Sequence, residues 1–223
     1  MQGQQAMQRK RPYRNAGAVI VAASTCWGVG ISFVGMVHAT KDPATRLAML
    51  QRSRGPWIAG QFLAAAGTAA VPVGFVRFAQ ALRPGPAKTM ASGAAAALVA
   101  GAPLFVVSLA NRASDLERFA CRRGANWPFL TYSGLHVGAL AALGAGLLLL
   151  PLKPWTGITA VTGATAFGAI LAGAKDIPPF VFYLVEGAVG AQLMRYEEPV
   201  VPTDAGLDTD ALLVALPLAR TGR

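Results

Sequence analysis

A chain of 223 residues with a formal net charge of +10 is 54% hydrophobic and only 13% charged, about half the charge that a soluble domain carries. Its apolar residues fall into long blocks, and its mean hydropathy is +0.45. That composition excludes a disordered chain, a disulfide scaffold and an ordinary soluble enzyme, and leaves a polytopic membrane protein.

Residues 1–15 are a basic tail with Arg9, Lys10, Arg11 and Arg14. A membrane-spanning helix needs roughly 20 apolar residues, and six stretches qualify: 16–37, 56–78, 87–110, 129–150, 155–174 and 177–194. The first outruns the roughly 7–15 apolar residues of a secretory signal, and five more spans follow, so it reads as a retained helix. Beyond the last span, residues 196–223 are acidic (Glu197, Glu198, Asp204, Asp208, Asp210) and read as mostly disordered.

The connections alternate in character. The first (39–55) and third (111–126) are long and basic, while the second, fourth and fifth are short and proline-rich. In the first, Asp42-Pro43 reads as a cap followed by proline at the first helical position. In the third, Ser114-Asp115-Leu116-Glu117 has the capping-box pattern and Gly124 stands where a short helix would end. Leu116, Phe119 and Ala120 then share one face. Both connections therefore read as short amphipathic helices lying at the interface.

Each even span opens with proline beside an aromatic: Pro56-Trp57, Pro128-Phe129 and Pro179-Phe180. Proline suits a first helical turn, where its missing N–H costs nothing, and tryptophan anchors at headgroup level. The predicted fold is thus an all-α polytopic transmembrane bundle over residues 16–195, six spans arranged as three helical hairpins, with amphipathic interfacial helices in the first and third connections. Small residues supply helix contacts in lipid. Gly134, Gly138, Ala142 and Gly146 form such a ladder on the fourth span, and Gly60, Gly67 and Gly74 on the second. Gly134 and Gly138 are expected to take a packing partner.

Up to Arg195, lysine and arginine divide equally between the two sides of this topology, nine on each. The first helix usually dominates orientation, which places both termini in the cytoplasm and the protein in the cell (inner or plasma) membrane. The positive excess marks loops held at anionic lipid headgroups. It does not mark a nucleic-acid site, because the basic residues never cluster with stacking aromatics on one soluble module.

Ionisable groups within a span are functional candidates by default. The even spans all enter from the side of connections one and three. At about 1.5 Å per residue, Gln61 lies about 8 Å deep, His136 about 10 Å and Glu186 about 14 Å. Tyr132 shares the face of His136, and His38 ends the first span on the same side. Gln61, Tyr132, His136, Glu186 and His38 are therefore expected to line one ligand-binding cavity, with Glu186 and His136 as the catalytic candidates. A carboxylate in hydrocarbon must be paired, hydrated or protonated.

No HExxH, Cys/His cluster or spaced carboxylate set suggests a metal, and no P-loop, GxSxG elbow or dinucleotide fingerprint suggests a cofactor. Cys26 and Cys121 read as free thiols. The six-helix plan, the basic stretch 38–55 and the closing Pro178-Pro179…Glu186…Arg195 run resemble uncharacterised small six-helix integral membrane proteins of high-GC bacteria. That resemblance covers about residues 14–195 and implies no particular activity.

Four functions follow from this reading. They are a bundle binding a small apolar or amphiphilic molecule, an enzyme acting on a lipid or isoprenoid with Glu186 as acid/base, a proton-coupled carrier, and a structural subunit of a membrane complex.

Overall fold

The computed structural model describes residues 10–174 and 180–198, and among these every regular element is a helix. In chain order they are α1 (Arg14–Ser32), α2 (Met36–Ala39), α3 (Pro43–Arg52), α4 (Arg54–Ala81), α5 (Pro86–Ser114), α6 (Leu116–Ala120), α7 (Trp127–Leu148), α8 (Pro154–Ala174) and α9 (Phe180–Arg195). The turn predicted at 175–179, the basic residues 1–9 and the acidic residues 199–223 lie outside the described residues.

Five helices are long and apolar enough to cross a membrane: α1, α4, α5, α7 and the Pro154–Gly173 stretch of α8. The sixth apolar stretch appears as α9, of 16 residues. Large apolar side chains face outward along these helices, with Phe62 70%, Leu184 65% and Val107 55% exposed. Such a surface suits acyl chains and would be a liability in water. Trp127 and Trp155 are also exposed; they stand at the first turns of α7 and α8, where an indole anchors at the headgroups.

The spans differ from expectation mainly at their ends. The first helix stops at Ser32, where the chain tightens: Gly35, Val37 and His38 donate their N–H groups to carbonyls three residues back. Ser32 Oγ donates to Val29 O at 2.8 Å. This 3₁₀-like turn separates α1 from α2. α5 runs four residues past the predicted end at 110, through Ser114, and so carries Asn111 and Arg112 on a helix, where a loop was expected.

Helices form in both long connections. Asp42 caps α3, its Oδ2 accepting from Thr45 N at 2.7 Å and Thr45 Oγ1 at 2.6 Å. These bonds hold the Asp42 carboxyl below the usual range. In the third connection the cap is Asp115, which accepts from Arg118 N at 2.9 Å; the predicted capping residue, Ser114, is the last residue of α5. α6 ends before Gly124 through paired bonds, Arg122 N to Phe119 O at 3.1 Å and Arg123 N to Arg118 O at 2.9 Å. This is the Schellman geometry. Its left-handed position is filled by Arg122, at φ 53°, which costs about 1–2 kcal/mol relative to glycine. α3 packs on α6, and Val37, Leu50, Trp57 and Ala120 form a small buried cluster there, apart from the main core.

Within Arg11–Tyr196 the long helices close a ring. α1 packs on α4, α4 on α5, α5 on α7, α7 on α8, α8 on α9, and α9 returns to α1. Glycine makes these contacts close. A Cβ on Gly67 would meet Ala23 O at 2.6 Å and Trp27 N at 2.8 Å, and one on Gly74 would meet Ile20. Gly30 faces Gly60 across the same α1–α4 seam, Gly17 faces Gly190 between α1 and α9, and Gly144 faces Gly157 between α7 and α8. Gly134 and Gly138 behave differently: nothing lies within 4 Å of a Cβ built on either. Among the described residues that part of the ladder seats no neighbour, and α7 meets α5 through Gly146, beside Ala87 and Met90. In the separate unit formed by the chain ends, Glu198 N donates to Lys10 O at 2.9 Å.

Candidate functional site

The centre of the ring is filled by polar and aromatic side chains from α1, α4, α5, α7 and α9. α7 and α9 enter from the same side, so residues a turn apart on each make two successive cross-links. Tyr132 OH meets Tyr183 OH at 2.8 Å, and one turn deeper His136 Nε2 meets Glu186 Oε1 at 2.7 Å. Glu186 is 0% exposed and His136 2%. Tyr183 OH also lies 2.7 Å from Thr68 Oγ1, which donates to Ala64 O at 2.9 Å.

Donor counting orients that chain. The Thr68 hydroxyl has one hydrogen, committed to the Ala64 carbonyl. Tyr183 must then donate to Thr68, and Tyr132 to Tyr183. α4 is also loosened at this level. Pro72 stands four residues beyond Thr68 and has no N–H to offer the Thr68 carbonyl.

Aromatic rings enclose these groups. Trp27 stacks on Tyr183 at 4.3 Å, Phe105 on Tyr132 at 4.4 Å and Phe182 on His136 at 4.5 Å. The His136–Glu186 contact therefore lies in a setting without water-like screening. Either atom could be the donor, depending on which of the two holds the proton between them. Several neighbouring buried atoms have no hydrogen-bond partner, among them His136 Nδ1, Glu186 Oε2, Ser133 Oγ and Ser24 Oγ.

Of the five residues expected to share a cavity, Tyr132, His136 and Glu186 stand together. Gln61 is 2% exposed on α4, with its Oε1 unpaired, and lies about 10 Å along the helix from Thr68. His38 stands elsewhere, among the short helices: its ring lies 5.8 Å from Trp57 and 6.0 Å from Phe119.

That second location holds a cavity of about 920 Å³ at the end of the ring where α2, α3 and α6 lie. Its lining combines the apolar side chains of Trp27, Ile31, Phe129 and Phe180 with His38, Asn111, Asn126 and five arginines, Arg46, Arg112, Arg118, Arg122 and Arg123. Among the described residues, no carboxylate lines it. The acids of α6, Asp115 and Glu117, line a different hollow beside Leu47 and Arg54. Residues Phe129, Tyr132 and His136 follow one another down α7, as Phe180, Tyr183 and Glu186 do down α9. The buried pair thus lies about 9–10 Å below the cavity's apolar side, with the Tyr132–Tyr183 layer between.

The short helices hold the arginines in place. Arg46 is 3% exposed, donates from Nη1 to Ala120 O at 2.9 Å, and lays its guanidinium 4.9 Å from the Phe119 ring. Arg112 lies 5.6 Å from the same ring, and Trp57 Nε1 donates to the Arg112 carbonyl at 2.9 Å. Phe119 itself stacks on Trp57 at 5.0 Å. One residue of a five-residue helix is thereby gripped by cations and an indole.

This crowding acts on His38. Burial against its neighbours, then the charges of Arg112 and Arg46, bring the imidazole from 6.5 down to about 4, although its edge remains open to solvent. A depressed base binds fewer protons in the folded state. Its share of stability is complete above pH about 6.5 and is lost as the pH falls towards 4. Histidine-labelled NMR should place the His38 midpoint near 4, and a midpoint at the unperturbed value would contradict the crowding.

The sequence drew attention to His38 but treated the arginines only as loop charges. The spacing Arg112, Arg118, Arg122, Arg123 around a capped five-residue helix was the available signal. Comparison with protein families, with curated proteins and with solved structures returns no match for this chain.

Proposed function

We propose that the protein is a six-span integral membrane protein that binds an amphiphilic molecule in the cavity at the α2–α3–α6 end of its ring. The supporting observation is the mixed lining of that cavity, large apolar side chains together with His38 and five arginines. In this reading α9 is the sixth span, the spans pair as hairpins, and α3 and α6 lie in the interface. Both termini face the cytoplasm, and the outward Gly134–Gly138 face takes a helix of another molecule. Gln61, Tyr132, His136 and Glu186 form the polar layer beneath the ligand, and His38 belongs to the cavity itself. Metal and cofactor have no part in it.

A second reading draws on the short His136–Glu186 contact. A pair that holds one proton between the span midpoints suits acid/base work on a lipid or isoprenoid, or proton-coupled transport. The aromatic layer between pair and cavity favours the binding role.

A blocking variant tests the proposal. Ile31→Trp places a larger side chain on the apolar side of the cavity. Added oleate should raise the midpoint of thermal unfolding of the detergent-solubilised protein by about 5 °C at saturation. The Ile31→Trp protein should fold and show no such rise. An equal rise in both would sink the assignment.

A further inference from the structure

The amphiphile reading leaves the polar end of the ligand open, and the hydrogen-bonding groups of the cavity narrow it. We infer that the chamber recognises a hydroxyl-rich head, a glycosyl or polyol group, held by the side chains of Asn111, Asn126, Ser108 and His38. The ligand's tail then lies along Trp27, Ile31 and Phe129. This inference rests on the amphiphile proposal and adds the chemistry of the head.

Three observations carry it. First, Asn111 and Asn126 both line the cavity, and among the described residues neither carboxamide has a hydrogen-bond partner. The Asn111 backbone carbonyl is engaged, accepting from Ser114 Oγ at 3.2 Å and from Asp115 N at 3.1 Å, while its side chain is exposed. Asn126 occupies the cap position of α7 without capping it, although asparagine is among the residues best suited to that bond. Second, Ser108 stands one turn before Asn111 on α5 and also lines the cavity. Its Oγ donates to Leu104 O at 3.0 Å, so its remaining capacity is to accept. Third, burial, and then the charges of Arg112 and Arg46, bring the His38 imidazole down to about 4. At neutral pH the ring is uncharged and carries one N–H and one accepting nitrogen.

These four side chains offer donors and acceptors together. Each carboxamide has two N–H donors and an accepting oxygen, the imidazole has one of each, and Ser108 accepts. An ionised carboxylate head only accepts, and would leave the accepting atoms of all four residues without donors. An ammonium head only donates, and would bring a positive charge beside the arginines of the lining. A hydroxyl does both, and several on one head can meet groups that come from α5, the start of α7 and α2. Once a ligand covers these groups, any left without a partner costs binding, so a head lacking hydroxyls is selected against.

Thermal unfolding of the full chain in neutral detergent separates the cases, using sucrose monooleate, oleate and sucrose as probes, on the wild type and on Asn111→Ala/Asn126→Ala. Both side chains are exposed and unbonded among the described residues, so the double variant should unfold near the wild-type temperature without ligand. The two oleoyl compounds share a tail, and their difference reads the head. Sucrose monooleate should reach half of its maximal rise in midpoint at a concentration about tenfold lower than oleate. That advantage should vanish in the double variant, which keeps its response to oleate. If the sugar ester acts no better than oleate, or the double variant keeps the whole advantage, the hydroxyl assignment is overturned while the amphiphile proposal stands. If sucrose at the same concentration reproduces the full rise, the hydroxyl site stands and the amphiphile proposal falls. If no probe acts, both fall.

Discussion

Glu186→Ala is expected to lower the stability of the bundle by about 3–5 kcal/mol, and His136→Ala by a similar amount. Each removes one half of a 2.7 Å contact between two side chains that are 0% and 2% exposed. His136 Nδ1 and Glu186 Oε2 already lack partners, and the rings of Tyr132 and Phe182 pack against the imidazole. Ordinary interhelical hydrogen bonds in membranes contribute only about 0.6 kcal/mol on average; the larger loss expected here comes from leaving an ionisable group alone among aromatics. Glu186→Gln keeps an acceptor for the imidazole N–H and should lose less than half as much. The paired apolar change, His136→Leu with Glu186→Leu, removes both polar groups and should be less damaging than the sum of the singles by about 2 kcal/mol. Unfolding titrations in mixed micelles measure all four. Strict additivity would mean that the two side chains are not coupled.

The second large effect concerns the seam between α1 and α4. Gly67→Ala puts a methyl group 2.6 Å from the Ala23 carbonyl oxygen and 2.8 Å from Trp27 N. Both obstructing atoms belong to backbone, so no side chain can swing away and the helices themselves must part. Trp27 lies on that face and stacks on Tyr183, so the displacement reaches the polar layer. A loss of about 2–3 kcal/mol follows from overpacking of this kind. Gly134→Ala is the control: its Cβ meets nothing within 4 Å, and alanine is the better helix former by about 1 kcal/mol. It should leave the isolated chain unchanged or slightly more stable. Equal losses for the two variants would contradict the packing described.

These contacts show what the amino-acid order makes readable. Long apolar blocks locate the helices, because lipid-compatible spans need length more than pattern. Parity then places residues by depth, and Tyr132, His136 and Glu186 do meet across α7 and α9. Their convergence was legible because side chains a turn apart on two similarly directed helices must meet in successive layers. Which glycine face would be used was not legible. Gly134 and Gly67 look alike in sequence, and only the ring geometry turns one outward and the other into a seam. The cavity was hidden for a related reason. Its arginines lie on three separate elements, the end of α5, the buried face of α3, and α6 with its exit. Arg112 becomes part of the wall only because α5 continues to Ser114. Depth along the helices placed Gln61 at the level of the expected site, yet on α4 it is Thr68, about 10 Å farther along the helix, that meets Tyr183.

The central claim is that the chamber at the α2–α3–α6 end, and not the outer surface, receives the amphiphile. Photo-crosslinking in lipid nanodiscs, with a fatty acid bearing a diazirine in its chain, tests this most directly. Peptide mapping should find the label on the segments holding Trp27, Ile31 and Phe129, with that labelling abolished by Ile31→Trp. Label confined to outward side chains such as Phe62, Val107 and Leu184, unaffected by the blocking substitution, would contradict the account.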